Sequence, residues 1–170
     1  MKNKILIFLV PLVLASVMCV VPNLDTEYFA KTKPDSEKLV GKYLPTIETL
    51  KLIRDEGHYE VGANENISIT LFSDGTFEME NMPDWWQTDF GRPKGGKDSG
   101  TGQWSVVQLQ EWWQLELDFD SRENFSSETA SSGLTTFIPI VDNPLPYALW
   151  FYVGDPDGGK VMIFKRTPDK

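Results

Sequence analysis

The sequence predicts an all-β domain, an antiparallel barrel or sandwich with at most one or two short helices. Three observations carry this expectation. Trp113–Asp120 reads WQLELDFD, with Trp113, Leu115, Leu117 and Phe119 pointing one way and Gln114, Glu116, Asp118 and Asp120 the other. Strict period-two alternation describes a half-buried strand with a charged outer face; helical spacing would scatter those acids around a cylinder. Ile67–Phe72 and Thr76–Glu80 are two further alternating runs, joined by Ser73-Asp74-Gly75. Asp-Gly readily takes the positive φ angles of a tight hairpin turn. From Leu39 onward, short apolar runs recur with turn residues between them.

In chain order, the first element is the one helical candidate. Thr46–Glu56 carries Ile47, Leu50 and Ile53 at three-residue spacing, and Gly57 is placed to end it. An extended reading, with Leu50 and Leu52 on one face, competes with it. The hairpin follows, with Ile67, Ile69 and Leu71 sharing one face and Phe77 and Met79 sharing another. Gln103–Val107, Trp113–Asp120, Leu134–Val141 and Tyr147–Val153 are the next strands. The last reads YALWFYV, apolar on both faces, so it belongs centrally or beneath a covering element. Gly154–Gly159 makes the turn into a final strand, Val161–Arg166. About seven strands with little helix form a single domain over residues 39–167.

Composition limits the function. The 170 residues include 16 basic and 25 acidic side chains, a net charge of −9, and are 41% hydrophobic, which fits one globular domain. The acidic balance argues against nucleic-acid binding, which needs cations to neutralise phosphates. A single cysteine excludes both a disulfide framework and a cysteine-rich zinc site.

The N-terminus supplies an address. Lys2 and Lys4 precede an uncharged run of 17 residues, Ile5–Val21, and residues 1–19 read as an export signal. The alternative is an uncleaved anchor, at the short limit for spanning a bilayer and interrupted by Pro11. Cys19, the sole cysteine, stands where bacterial lipoproteins carry the lipidated residue, with Met18 and Ser16 in place of the usual small and aliphatic residues. Cleavage before Cys19 would remove two lysines and no acid, taking the net charge from −9 to −11. Residues 20–38, punctuated by Pro22 and Pro34, read as a tether. The chain is therefore expected to be exported, periplasmic or membrane-anchored, touching membrane only through this segment or its lipid.

Gly41-Lys42-Tyr43, the Asp74–Trp86 run DGTFEMENMPDWW, Gly102-Gln103-Trp104 and the Gly154–Arg166 ending GDPDGGKVMIFKR resemble a bacterial family. That family comprises small, exported, largely uncharacterised β-proteins, and the glycine-x-aromatic strand starts are similar to those of lipocalin-like barrels. Tyr43 stands where the first lipocalin strand usually has tryptophan. The resemblance implies a lipocalin-like barrel over residues 41–166 and brings no catalytic residues with it.

Candidate chemistry is sparse. Gly91–Lys97 matches the start of a GxxxxGK phosphate loop, but Asp98 replaces the magnesium-binding hydroxyl and Ser99–Gly102 is hostile to the helix such a loop requires. The stretch Pro83–Gln103 reads instead as a long loop with five glycines, Trp85 and Trp86, and the basic trio Arg92, Lys94 and Lys97. Tryptophan and arginine are enriched at binding hot spots, so these five side chains are the candidate ligand- or partner-binding residues. Glu116, Asp118 and Asp120, and Asp155 and Asp157, carry oxygen ligands of the kind calcium takes. They read better as solvated acids and a hairpin turn, since Arg166 stands where a calcium loop's glutamate would be. His58, the only histidine, has no nucleophile motif beside it. Asn66-Ile-Ser68 and Asn124-Phe-Ser126 are glycosylation sequons without meaning beside a bacterial signal. No metal or cofactor is expected.

Two classes of function follow. The first is a non-enzymatic envelope protein binding an apolar small molecule inside a barrel, or a protein at the tryptophan-bearing rim; an immunity or inhibitor role belongs here. The second is a hydrolase working through paired carboxylates. Buried carboxyls with raised pKa values would favour the hydrolase, and a filled barrel interior would favour protein binding.

Overall fold

The computed structural model describes residues 26–56, 66–83, 97–122, 134–142, 145–153 and 159–168. Eight strands form a closed antiparallel lipocalin-like barrel: β1 (Gly41–Pro45), β2 (Ser68–Leu71), β3 (Thr76–Pro83), β4 (Lys97–Leu109), β5 (Trp112–Arg122), β6 (Leu134–Val141), β7 (Ala148–Tyr152) and β8 (Val161–Arg166). Each strand pairs with its sequence neighbour, and β8 returns to β1 through Tyr43↔Arg166, Leu44↔Lys165 and Pro45↔Phe164. Closure removes the free edges that an open sheet would expose.

The alternating patterns place side chains as expected. Ile69 and Leu71 on β2, Phe77 and Met79 on β3, Leu115, Leu117 and Phe119 on β5 are buried, and Asp118 and Asp120, on either side of Phe119, are exposed. The β2–β3 hairpin turns through Asp74-Gly75, where Gly75 has φ 86° and Asp74 Oδ1 accepts the Thr76 N–H at 2.9 Å. Inward-facing residues from every strand except β4 merge with Ile53 and Leu39 into one apolar cluster. The apolar face thus points inward and charges such as Lys42, Glu78, Glu116 and Asp118 point outward, the reverse of a membrane-spanning barrel. Among the described residues, no helix is long and apolar enough to cross a membrane.

The two ends of the barrel differ. At the first end lie the short β2–β3, β4–β5 and β6–β7 connections and a lid, residues 31–40, containing helix α1 (Ser36–Leu39). Tyr43 donates its hydroxyl to the Leu39 carbonyl at 2.8 Å, and burial pushes its phenol well above the ordinary range. At the second end lie helix α2 (Ile47–Glu56) and the strand termini joined by residues 84–96 and 123–133.

Helix α2 is the Thr46–Glu56 candidate. Thr46 caps it, its Oγ1 accepting the Thr49 N–H at 3.1 Å, and Thr49 Oγ1 exchanges hydrogen bonds with the backbone of Ile163. The face turned to the barrel is Thr49, Leu50 and Ile53, so Ile47, expected on it, is 79% exposed.

Three expectations are corrected. Among the described residues there are eight strands rather than seven: β1 (GKYLP) buries only Tyr43 and exposes the adjacent Leu44, so it shows no apolar alternation. The long loop read as Pro83–Gln103 ends earlier: Lys97–Gly102 belong to β4, paired with β3 from Lys97 and with β5 from Gly100. Polar, glycine-rich Asp98–Gly102 has little strand propensity of its own, and tertiary pairing decides its state. Of the stretch read as a tether, residues 26–38 lie against the barrel. A 3₁₀ turn at Thr26–Tyr28 leads into Phe29 and Ala30, which wedge between β5 and β6. Ala30 N–H donates to Ile140 O and Trp113 N–H to Ala30 O, both at 2.8 Å, and Asp142 N–H reaches Tyr28 O at 3.2 Å.

Candidate functional site

Trp85, Trp86, Arg92 and Lys94 lie outside the described residues, as do Cys19, His58, Asn124, Asp155 and Asp157. Of the proposed binding residues the structure places Lys97. It opens β4 opposite Pro83, half-buried, at the second end of the barrel. Residues 84–96 connect this strand pair.

Immediately below Lys97 the sequence alternation turns Asp98 inward, onto the same face as Gly100 and Gly102. Its carboxylate forms an ion pair with Arg122, whose partner position across the sheet is Gly100. The two side chains are 3% and 7% exposed, and the guanidinium also lies 4.8 Å from the Phe119 ring centroid. Burial pulls the Arg122 guanidinium down to about 10, still charged at neutral pH. Asp98 Oδ1 accepts no hydrogen bond among the described residues. Sequence reasoning used Asp98 only to reject a phosphate loop and passed over Arg122. The usable signal was the alternation Asp98, Gly100, Gly102, Trp104, which puts a carboxylate on the inner face.

The carboxylates of the outer face are tied individually. Glu116 accepts from Ser105 Oγ at 2.7 Å and Asp118 from Thr135 Oγ1 at 3.2 Å. Glu80 Oε2 accepts from Ser68 Oγ at 2.7 Å and from Asn66, and sits 3.5 Å from Lys42 Nζ. Hydrogen bonds from their own surroundings lower the Glu48 and Asp74 carboxyls, the backbone N–H of Glu48 in one case and the Thr76 hydroxyl in the other. Among the described residues, no three histidine, cysteine or acidic side chains converge as a metal site.

Among the described residues, two surface recesses have aromatic side chains on their walls. A cleft of about 650 Å³ lies between lid residues Lys33 and Glu37 and the β2–β3 turn, with Trp104 on its wall. The Trp104 indole N–H is fixed on Phe72 O at 3.0 Å. The second recess is a groove of about 330 Å³ on the outside of β6–β8, lined by Tyr28, Leu145, Pro146, Trp150, Ile163 and Lys165 among others. Phe29 roofs the adjoining sheet face, its ring 5.7 Å from Trp112 and 5.6 Å from Trp150. This wedge is the covering element that the two-sided apolar strand β7 requires: Leu149 and Phe151 face the core, and Ala148, Trp150 and Tyr152 face Phe29 and its neighbours.

The chain matches no protein-family model, no curated protein and no solved structure.

Proposed function

We propose that the chain is an exported, non-enzymatic binding protein that recognises another protein with its surface rather than enclosing a small molecule. The observation that carries this is the filled interior. An eight-stranded barrel is just wide enough either to be packed by its own side chains or to hold one small ligand. Here Tyr43, Phe77, Phe119, Phe151, Phe164 and the aliphatic residues between them occupy that space as one buried cluster. Such a barrel is a rigid frame for what emerges from its ends. On this reading the partner meets the second end at Lys97, and the sequence between Pro83 and Lys97 contributes Trp85, Trp86, Arg92 and Lys94. An immunity or inhibitor role fits the same surface. A carboxylate hydrolase finds less support: the shifted carboxyls described, Glu48 and Asp74, are moved downward, and the buried Asp98 is matched by a cation.

The test is crosslinked capture from native envelope together with native mass spectrometry of the purified chain. The expected result is a discrete protein crosslink that is lost in a Trp85→Ala, Trp86→Ala double variant of wild-type circular dichroism. A one-to-one apolar small molecule retained by the barrel through purification would refute the reading.

A further inference from the structure

We propose that the first end of the barrel, at Tyr28, Leu145 and Pro146, rests in the headgroup interface of the membrane that holds the N-terminus. The inference rests on the N-terminally anchored form of the export reading above.

The argument is one of reach. A free tether over residues 20–38 would let the domain wander some 60 Å from its anchor if extended. The wedge removes most of that length. The chain is hydrogen-bonded to the barrel at Tyr28 and Ala30, and its register against β6, Tyr28 at Asp142 and Ala30 at Ile140, makes it enter from the first end. Between the last residue of the apolar run, Val21, and the start of the described structure at Thr26 there are five residue steps, at most about 18 Å. From Cys19 the span is seven steps, about 25 Å. Either length is shorter than the roughly 30 Å width of a small domain. An anchored barrel therefore keeps this end turned to the bilayer and within about 25 Å of it, close enough for its exposed side chains to settle there.

What the end presents suits that position. Leu145 is 65% exposed and Tyr28 43%, side by side on the groove that Trp150, Ile163 and Lys165 complete. Leucine beside tyrosine and lysine suits a membrane–water interface, apolar bodies inward and polar tips in the headgroups, with Trp150 as the apolar floor beneath them. The groove carries one charged side chain, Lys165, so the tether and apolar contact set the orientation, not attraction to anionic lipid. The arrangement leaves the second end, with Lys97, pointing away from the membrane.

The experiment places a photoreactive benzoylphenylalanine at Leu145, at Tyr28 or at Ile47 in the full-length chain. Ile47 is 79% exposed at the second end and serves as the comparison. Cells are fractionated, membranes irradiated, and adducts identified by mass. The expected result is a membrane-bound chain whose lipid adducts at positions 145 and 28 exceed those at 47 several-fold. A long Gly-Ser insert between Leu24 and Asp25 should lower the adducts at 145 and 28 toward the value at 47 while the chain stays in the membrane fraction. Equal lipid yields at both ends, a second copy or another protein crosslinked at 145, or no response to the insert would each overturn the proposal. A chain recovered wholly in the soluble fraction would overturn anchoring and the proposal with it, while partner capture would still report separately on the proposed function.

Discussion

Replacing Phe29 with alanine tests whether residues 26–30 are part of the domain. The ring is 2% exposed, roofed onto Trp112 and Trp150 and packed with Val141 and Ala148. Truncating a buried phenylalanine destabilises by about 3–5 kcal/mol. The lower end applies here, because a weakened wedge can lift away and limit the loss to its own docking energy. About 3 kcal/mol corresponds to a fall in Tm of roughly 6–12 °C for a domain of this size. Thermal unfolding of the Phe29→Ala and Tyr28→Ala variants supplies the comparison, since Tyr28 is largely outside the cluster and its truncation should stay within about 0.5 kcal/mol of wild type. Near-ultraviolet circular dichroism should lose intensity from Trp112 and Trp150, and the Trp113 amide, which donates to Ala30, should exchange faster. A Phe29→Ala change no larger than Tyr28→Ala would show that residues 26–30 are only a tether. It would also remove the reach argument for membrane apposition.

Gly102→Ala should prevent normal assembly of the β4–β5 pair. A Cβ there would run into the Asp118 carbonyl at the register shift between Thr101 and Gly102, and the expected loss exceeds about 3 kcal/mol, read as reduced Tm or failure to accumulate. Arg122→Met should destabilise by about 3–5 kcal/mol by leaving Asp98 buried without its cation, and adding Asp98→Leu should recover most of that loss in urea unfolding. An Arg122→Met chain as stable as wild type would refute a dry pair. Tyr43 gives an alkaline signature. Its folded pKa is raised, so above the unfolded value of 10.0 the unfolded chain releases a proton that the folded one keeps, and stability falls as pH rises. Tyr43→Phe should flatten that part of the alkaline stability profile and lower stability at neutral pH by about 1 kcal/mol through the unmatched Leu39 carbonyl.

Much of the barrel was legible because its determinants are local. Period-two alternation in Trp113–Asp120, the Asp74-Gly75 turn and the run Val161–Arg166 each name a strand or turn from neighbouring residues alone. The glycine-x-aromatic starts were visible too, but their reason is tertiary: Gly41, at φ 140°, lies under Arg166, and Gly102 lies against the Asp118 backbone. Asp98–Gly102 reads as loop because its composition favours turns, and only pairing with β3, joined by β5 from Gly100, makes it a strand. The candidate site was less legible. Trp85, Trp86, Arg92 and Lys94 stand out by type yet fall outside the described residues, and the Asp98–Arg122 pair joins positions whose meeting depends on sheet register. The sequence by itself determined the all-β class, the hairpins, the acidic outer face and the apolar N-terminal run, each a property of composition or short-range period. Only the tertiary structure decided barrel closure, the filled interior and the capture of Phe29 by Trp112 and Trp150. Those depend on contacts between residues far apart in the chain, for which no local pattern exists.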